Sequence, residues 1–138
     1  MKITPDTNFF ISATQWDNSI SHKLLIKLIE ENAEIYTTKK ILDEFFDVLQ
    51  RDFKYSVEEA NNIIEKIIIF ANLIESKEEI EIVKEDPEDN KILECAVSSN
   101  SEYIITYDNH LLKLNKFKDI EIITPDNLLK IINSKFKL

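Results

Sequence analysis

Asp6, Glu44, Asp89 and Asp108 are the residues of this chain whose type and placement could do chemistry. Asp6 follows the opening run Met1-Lys2-Ile3-Thr4-Pro5, and Asp108 follows Tyr103-Ile104-Ile105-Thr106-Tyr107. Both runs have strand character, so both acids belong at strand ends. Glu44 shares a helical face with Ile41 and Val48, and Asp89 with Ile92, Leu93 and Ala96. An acid on an apolar stripe costs stability unless it is paired, neutralised or bound to a cation. Carboxylates gathered within a few ångströms cannot all ionise without a cation. Hard cations such as Mg²⁺ accept oxygen ligands and keep several waters. A bound ion of that kind activates water and stabilises charge on a phosphate oxygen. The set therefore points to a divalent-metal site, with phosphodiester hydrolysis as the chemistry that needs acids and metal alone.

Each acid also has a simpler reading. Asp6 and Asp108 would serve as helix N-caps, and Asp89 as a first-turn acid facing the helix dipole. Glu44 resists this treatment, because in mid-helix it caps nothing; it could still meet a lysine at the margin of its stripe.

The elements that must position these residues follow from periodicity. Strands are expected at Met1–Thr4, Ala33–Thr37, Ile80–Val83, Tyr103–Tyr107 and Ile120–Thr124. Helices are expected over Ser21–Glu31 and Lys39–Asp52, from Ser56 to about Ile74, from Asp86-Pro87 to about Ser98, briefly after Asp108, and from Thr124-Pro125 to about Phe136. Ser56 and Glu59 form a capping-box signature, and Asp86-Pro87 reads as an N-cap followed by proline at the first helical position. Alternating strands and helices predict an α/β fold, a three-layer sandwich around a central, mainly parallel sheet. In such sheets ligands bind beyond the carboxyl ends of the strands, where Asp6 and Asp108 belong. Residues 1–138 read as one domain, a usual size at which roughly two-thirds of the unfolded surface can be buried.

Composition narrows the function. Glycine is absent, where about 7% is average, which removes the phosphate-cradling P-loop and the glycine-rich dinucleotide turn. The single cysteine, Cys95, excludes an internal disulfide and a cysteine zinc cluster; it reads as a small buried hydrophobe in a reducing cytoplasm. No apolar run approaches the roughly 20 residues of a membrane span, and no signal-peptide region opens the chain. A net charge of −9 argues against a nonspecific nucleic-acid coat, but not against a nuclease whose metal supplies the positive charge. Lys39-Lys40 and the lysines at 113, 116, 118, 130, 135 and 137 read as solvated charges.

Four segments together resemble the PIN domain family. Asp6-Thr7-Asn8-Phe9-Phe10-Ile11-Ser12-Ala13 looks like its opening motif and Ile41-Leu42-Asp43-Glu44-Phe45 like its second. The segment from Asp86-Pro87-Glu88-Asp89-Asn90-Lys91 to Ala96 resembles the third, and Ile105-Thr106-Tyr107-Asp108 the fourth. The resemblance implies metal-dependent cleavage of RNA, with Asp6, Glu44, Asp89 and Asp108 holding Mg²⁺ or Mn²⁺ and with Ser12, Thr106 and Asn8 in support. It also implies a toxin restrained by a cognate antitoxin, and a homodimer is a further expectation. Two departures stand out. Pro5 replaces the usual apolar residue and should shorten the first strand. His110 stands where many relatives carry another acid; it reads as a solvated loop histidine, and His22 as a helix-surface one. Two other classes compete. An acid-cluster phosphotransfer domain would want an acid beside Asp6, or Asp-x-Asp where position 8 is asparagine. A catalytically inactive binding module would bind metal without hydrolysis.

Overall fold

The computed structural model describes residues 1–77 and 90–135. Its elements are β1 (Lys2–Pro5), α1 (Thr7–Gln15), α2 (Ile20–Glu30), β2 (Glu34–Thr38), α3 (Lys39–Phe53), α4 (Val57–Phe70), β3 (Ala71–Ile74), α5 (Asn90–Ser99), β4 (Tyr103–Ile105), α6 (Asn109–Leu112), β5 (Lys116–Phe117), β6 (Ile120–Ile123) and α7 (Pro125–Lys135). The strands form one sheet in the order β3-β2-β1-β4-β6-β5. All neighbours are parallel except β5 and β6, which form an antiparallel hairpin at one edge. This is the expected α/β architecture.

The topology decides where a site can sit. The chain starts at β1, works outward to β2 and β3, then returns to the other side of β1 for β4 and β6. The reversal falls between β1 and β4, and a crevice opens beyond the carboxyl ends of strands at such a point. Asp6 leaves β1 there, and Thr106 leaves β4 beside it.

Local signals set the helix starts. Asp6, Ser19, Thr38 and Ser56 each accept a backbone N–H of the following helix through the side chain. Ser56 and Glu59 form the full capping box. With no glycine available, left-handed backbone falls to Asn32, Asn100 and Asn115, and to Lys54 and Lys118. Asparagine tolerates that region; a lysine Cβ is penalised there.

The core runs through the sheet and the helix stripes facing it. Ile3, Ile35, Ile104 and Ile105 are fully or almost fully buried, as are Leu24, Leu28, Phe45 and Leu93. The Phe10 ring of α1 stacks on the Phe45 ring of α3 at 5.9 Å. Burying one such side chain contributes roughly 1.5–3 kcal/mol. The stack also helps set the rotation of α3, and with it the face from which the adjacent Glu44 projects.

Several expectations need correction. Thr7–Gln15 forms a helix that the periodic reading left out. The helix from Ser56 ends at Phe70, not Ile74, and Ala71–Ile74 becomes an edge strand paired with β2 from Ile35 to Thr38. Those four residues continue the apolar helical pattern, so pairing with the sheet overrides a local preference. The expected strand Ile80–Val83, and the cap at Asp86-Pro87, lie outside the described residues. The strand from Tyr103 stops at Ile105, and the short β5 was not foreseen. Pro5 does not shorten β1; it is the last residue of the strand, opposite Ile105. The Asp6 N–H bonds the Ile105 carbonyl, so by alternation the Pro5 nitrogen faces β2. Pairing with β2 has ended by then, at Ile3, and no donor is missed.

Candidate active site

Asp6, Glu44 and Asp108 come from three distant stretches of chain and line one cleft at the carboxyl edge, together with Thr7, Asn8, Lys91 and Ile92. Its enclosed space is about 20 Å³. That is room for one water-sized particle.

Asp6 is held on both oxygens. Its Oδ1 accepts the Phe9 N–H at 2.8 Å, capping α1, and its Oδ2 accepts the Thr106 hydroxyl at 2.5 Å. The same hydroxyl oxygen accepts the Asp108 N–H at 2.9 Å. Asp108 Oδ1 in turn accepts the His110 N–H at 2.7 Å and caps α6. The N-cap reading of these two aspartates holds, and the same side chains line the cleft. Asp6 is only 6% exposed, and burial pushes its carboxyl up to about 6. The Thr106 and Phe9 hydrogen bonds pull it down, while the charges of Asp108 and Glu44 push it up.

The other wall is built differently. Glu44 projects from α3, half-exposed, and its Oε2 is ion-paired with the Lys91 ammonium of α5. Lys91 is almost fully buried. Sequence reasoning missed it, since a lysine next to Ile92 reads as a solvated flank. The neighbouring sequence carried no signal of it; the structure shows Asn90 through Ala96 all buried, so α5 has no solvated flank there.

The remaining expectations divide. Asn8 lines the cleft and is exposed; Ser12 does not line it, and its carbonyl accepts the Trp16 N–H and the Ser19 hydroxyl. Asp89 lies outside the described residues. His110 is in the first turn of α6 with Nδ1 3.7 Å from Asp108 Oδ1, so it is not a loop residue. His22 is not a free surface group: its Nδ1 is 2.8 Å from the Ala13 carbonyl, tying α2 to α1. Cys95 is buried as expected, and burial pushes its thiol up to about 12.

Whether the cleft suits a divalent cation can be judged from its donors. They are oxygens, and the Asp6 carboxyl among them is raised chiefly by burial and less by the charges of Asp108 and Glu44. The Thr7 hydroxyl is buried on the cleft wall with no hydrogen-bond partner. Among the described residues, however, no three acid, histidine or cysteine side chains are close enough to hold a metal by themselves. The expected tight acid cluster is instead a cleft of three carboxylates with one ammonium among them. Such an open set fits Mg²⁺ or Mn²⁺, hard ions bound through one or two carboxylates with waters filling the rest.

Comparison with known proteins gives this geometry a family. The PIN domain model matches residues 2–110. The chain belongs to the PIN domain family. An uncharacterized protein of Methanocaldococcus jannaschii, MJ1680, is 32% identical over 130 residues, which span 89% of this chain and 83% of that protein. Among solved structures, VapBC2 of Rickettsia felis, crystallised bound to a DNA fragment from its promoter, aligns with a TM-score of 0.64 at 13% identity. The alignment covers 90% of this chain and 98% of that one. PAE2754 of Pyrobaculum aerophilum aligns with a TM-score of 0.58 at 15% identity, covering 96% and 89%. PIN domains are in general nucleases, and this PIN domain places its cleft at the switch point of its sheet. Among the described residues no helix is long and apolar enough to cross a membrane.

Proposed function

We propose that this PIN domain is a metal-dependent endoribonuclease that hydrolyses phosphodiester bonds of RNA, with Mg²⁺ or Mn²⁺ as its ion. The observation that carries the reading is Asp6. A buried carboxyl, raised to about 6 partly by Asp108 and Glu44, is a destabilising arrangement that a bound cation relieves. Asp6, Glu44 and Asp108, joined by Asp89, would hold the ion. When bound, it would lower the pKa of a water and stabilise charge on a phosphate oxygen. The chain's own residues prepare the cleft. Thr106 fixes the Asp6 rotamer and orients Asp108 through its backbone. Phe10 and Phe45 set the rotation of α3, from which Glu44 projects. Lys91 brings a positive charge to the wall that the phosphate oxygens would approach.

As for partners, the likeness to VapBC2 supports a toxin role under the control of a cognate antitoxin; a single domain acting in the cytoplasm as a homodimer completes this reading. An antitoxin segment presenting arginine or lysine would complement the acidic cleft.

The test is direct. Purified protein is incubated with total RNA in Mn²⁺ or in chelator, and the cut ends are mapped. Metal-dependent ends that vanish in Asp108→Asn are expected. Metal binding by calorimetry with no cleavage would replace this reading with that of an inactive binding module.

A further inference from the structure

A second cleft, of about 520 Å³, lies at the carboxyl ends of β2 and β3, where Thr38 and Ile74 line it. It is lined by Lys39 and Lys40 at the head of α3, by Ser76 and Lys77 after β3, and by Thr38 and Glu94. In a chain of net charge −9, its lining carries three lysines against two glutamates, Glu75 and Glu94.

The cleft is built. Pairing of Thr38 with Ile74 sets one corner. The Ser98 hydroxyl of α5 accepts the Lys77 N–H at 3.0 Å and anchors the segment leaving β3. Buried Glu94 lies 4.0 Å from the Lys40 ammonium and holds it towards α5. The Lys39 ammonium is paired at 2.9 Å with Asp43, and both side chains are mostly exposed. Exposed pairs of this kind contribute about 0–1 kcal/mol, so Lys39 can exchange Asp43 for a stronger anion. The leading N–H groups of a long helix add a favourable field for negative charge.

The register between the two clefts is set by one helix. Lys40 and Glu44 are one turn apart on α3, roughly 5–6 Å between Cβ atoms. That is about one internucleotide step of an extended single strand, and grooves that bind single strands track the backbone with positive charge.

We infer that the cleft of Lys39, Lys40 and Lys77 is a subsite for the RNA phosphate next to the one held at the acidic cleft. The inference rests on the ribonuclease reading for its choice of ligand. It makes the protein a reader of consecutive backbone charges, with base identity irrelevant at this position.

Isotope-labelled full-length protein in EDTA, titrated with the trinucleotide UpUpU and followed by NMR, tests it without cleavage. The amides of Lys39, Lys40, Ser76 and Lys77 should shift. A trinucleotide with neutral methylphosphonate linkages should bind about tenfold more weakly. Lys39→Ala/Lys77→Ala should lose about tenfold for UpUpU, lose nothing further with the neutral linkages, and lower the salt slope by about 0.7 for one phosphate. Lys116→Ala/Lys130→Ala, on distant elements, should behave as wild type. Unchanged UpUpU affinity in the Lys39/Lys77 variant, or amide shifts confined to other surfaces, overturns the subsite. Inorganic phosphate at matched ionic strength shifting the same amides as strongly as UpUpU overturns the RNA assignment. If these amides respond as expected but no RNA is cut in Mn²⁺, the nuclease reading fails and the subsite stands; cleavage without the response sinks the subsite alone.

Discussion

The two walls of the acidic cleft are held by different physics. On the β1–β4 side, Asp6 and Asp108 are bound by short hydrogen bonds to backbone N–H groups and to Thr106, all within residues that leave adjacent strands. On the α3–α5 side, Glu44 and Lys91 meet through an ion pair between two long side chains. The first wall is preorganised by the sheet. The second depends on how two helices are packed, and its groups can rearrange when a cation or phosphate enters. A site of this kind has a fixed half that defines position and an adjustable half that accepts charge.

The most severe way to break the comparison is chemical. Asp108→Asn keeps a good N-cap but removes a charge, and single-turnover cleavage should fall on the order of a thousandfold, given the several kcal/mol that metal-centred charge stabilisation supplies. The melting temperature should barely move. If cleavage persists at the wild-type rate, the rigid wall is not the catalytic one.

Next comes the stability cost of the rigid wall. The folded pKa of Asp6, about 6, lies above its ordinary 3.8, so between these values the folded chain binds more protons than the unfolded one. Stability from this group is therefore full below about pH 4 and is lost as pH rises to about 6 and beyond. The full loss is at most about 3 kcal/mol. In chelator, Asp6→Asn should be more stable than wild type at pH 8 by up to that amount, with the gap closing towards pH 4. Urea denaturation at both pH values reads it; a gap independent of pH would remove burial of charge as the cause.

Thr106→Val removes the bond that pulls Asp6 down. It should cost about 1.5 kcal/mol at pH 8, the lower end for a hydrogen bond to a charged group, and raise the Asp6 pKa further. Carboxyl titration by NMR measures the second effect, and an unmoved Asp6 would show that Thr106 does not tune it. For the adjustable wall, a double-mutant cycle of Glu44→Gln and Lys91→Met should give a coupling of about 1.5 kcal/mol, reduced by high salt through the half-exposed Glu44. A coupling that is larger and independent of salt would mean both walls are equally rigid. The smallest effect lies outside the cleft. Lys54→Gly relieves a lysine held in left-handed backbone at φ 60° and should add about 0.5 kcal/mol, net of the entropy glycine loses and of the bond from Lys54 Nζ to the Arg51 carbonyl.

The same contrast explains what could be read in the sequence. Asp6 and Asp108 were legible because a β-branched run followed by an acid marks a strand end, a local signal. Glu44 was legible as an anomaly on the helical face it shares with Ile41 and Val48. Lys91 was not, because its burial comes from the helices and strands around α5 and leaves no trace in its own neighbourhood. Strand β3 escaped for a related reason: Ala71–Ile74 continues a helical pattern, and only the open edge of β2 makes it a strand. The Thr106 bridge was foreseen as support for a carboxylate; its reach to Asp108 through a backbone N–H needed the turn geometry.

That bridge has one more consequence. The Thr106 oxygen receives a hydrogen from the main chain of Asp108, which obliges its own hydrogen to point at Asp6. The line of donors runs in one direction and begins at an amide, not at a carboxyl. Asp6 and Asp108 are therefore joined through a hydroxyl and an amide, with no hydrogen passed from one carboxyl to the other along that line.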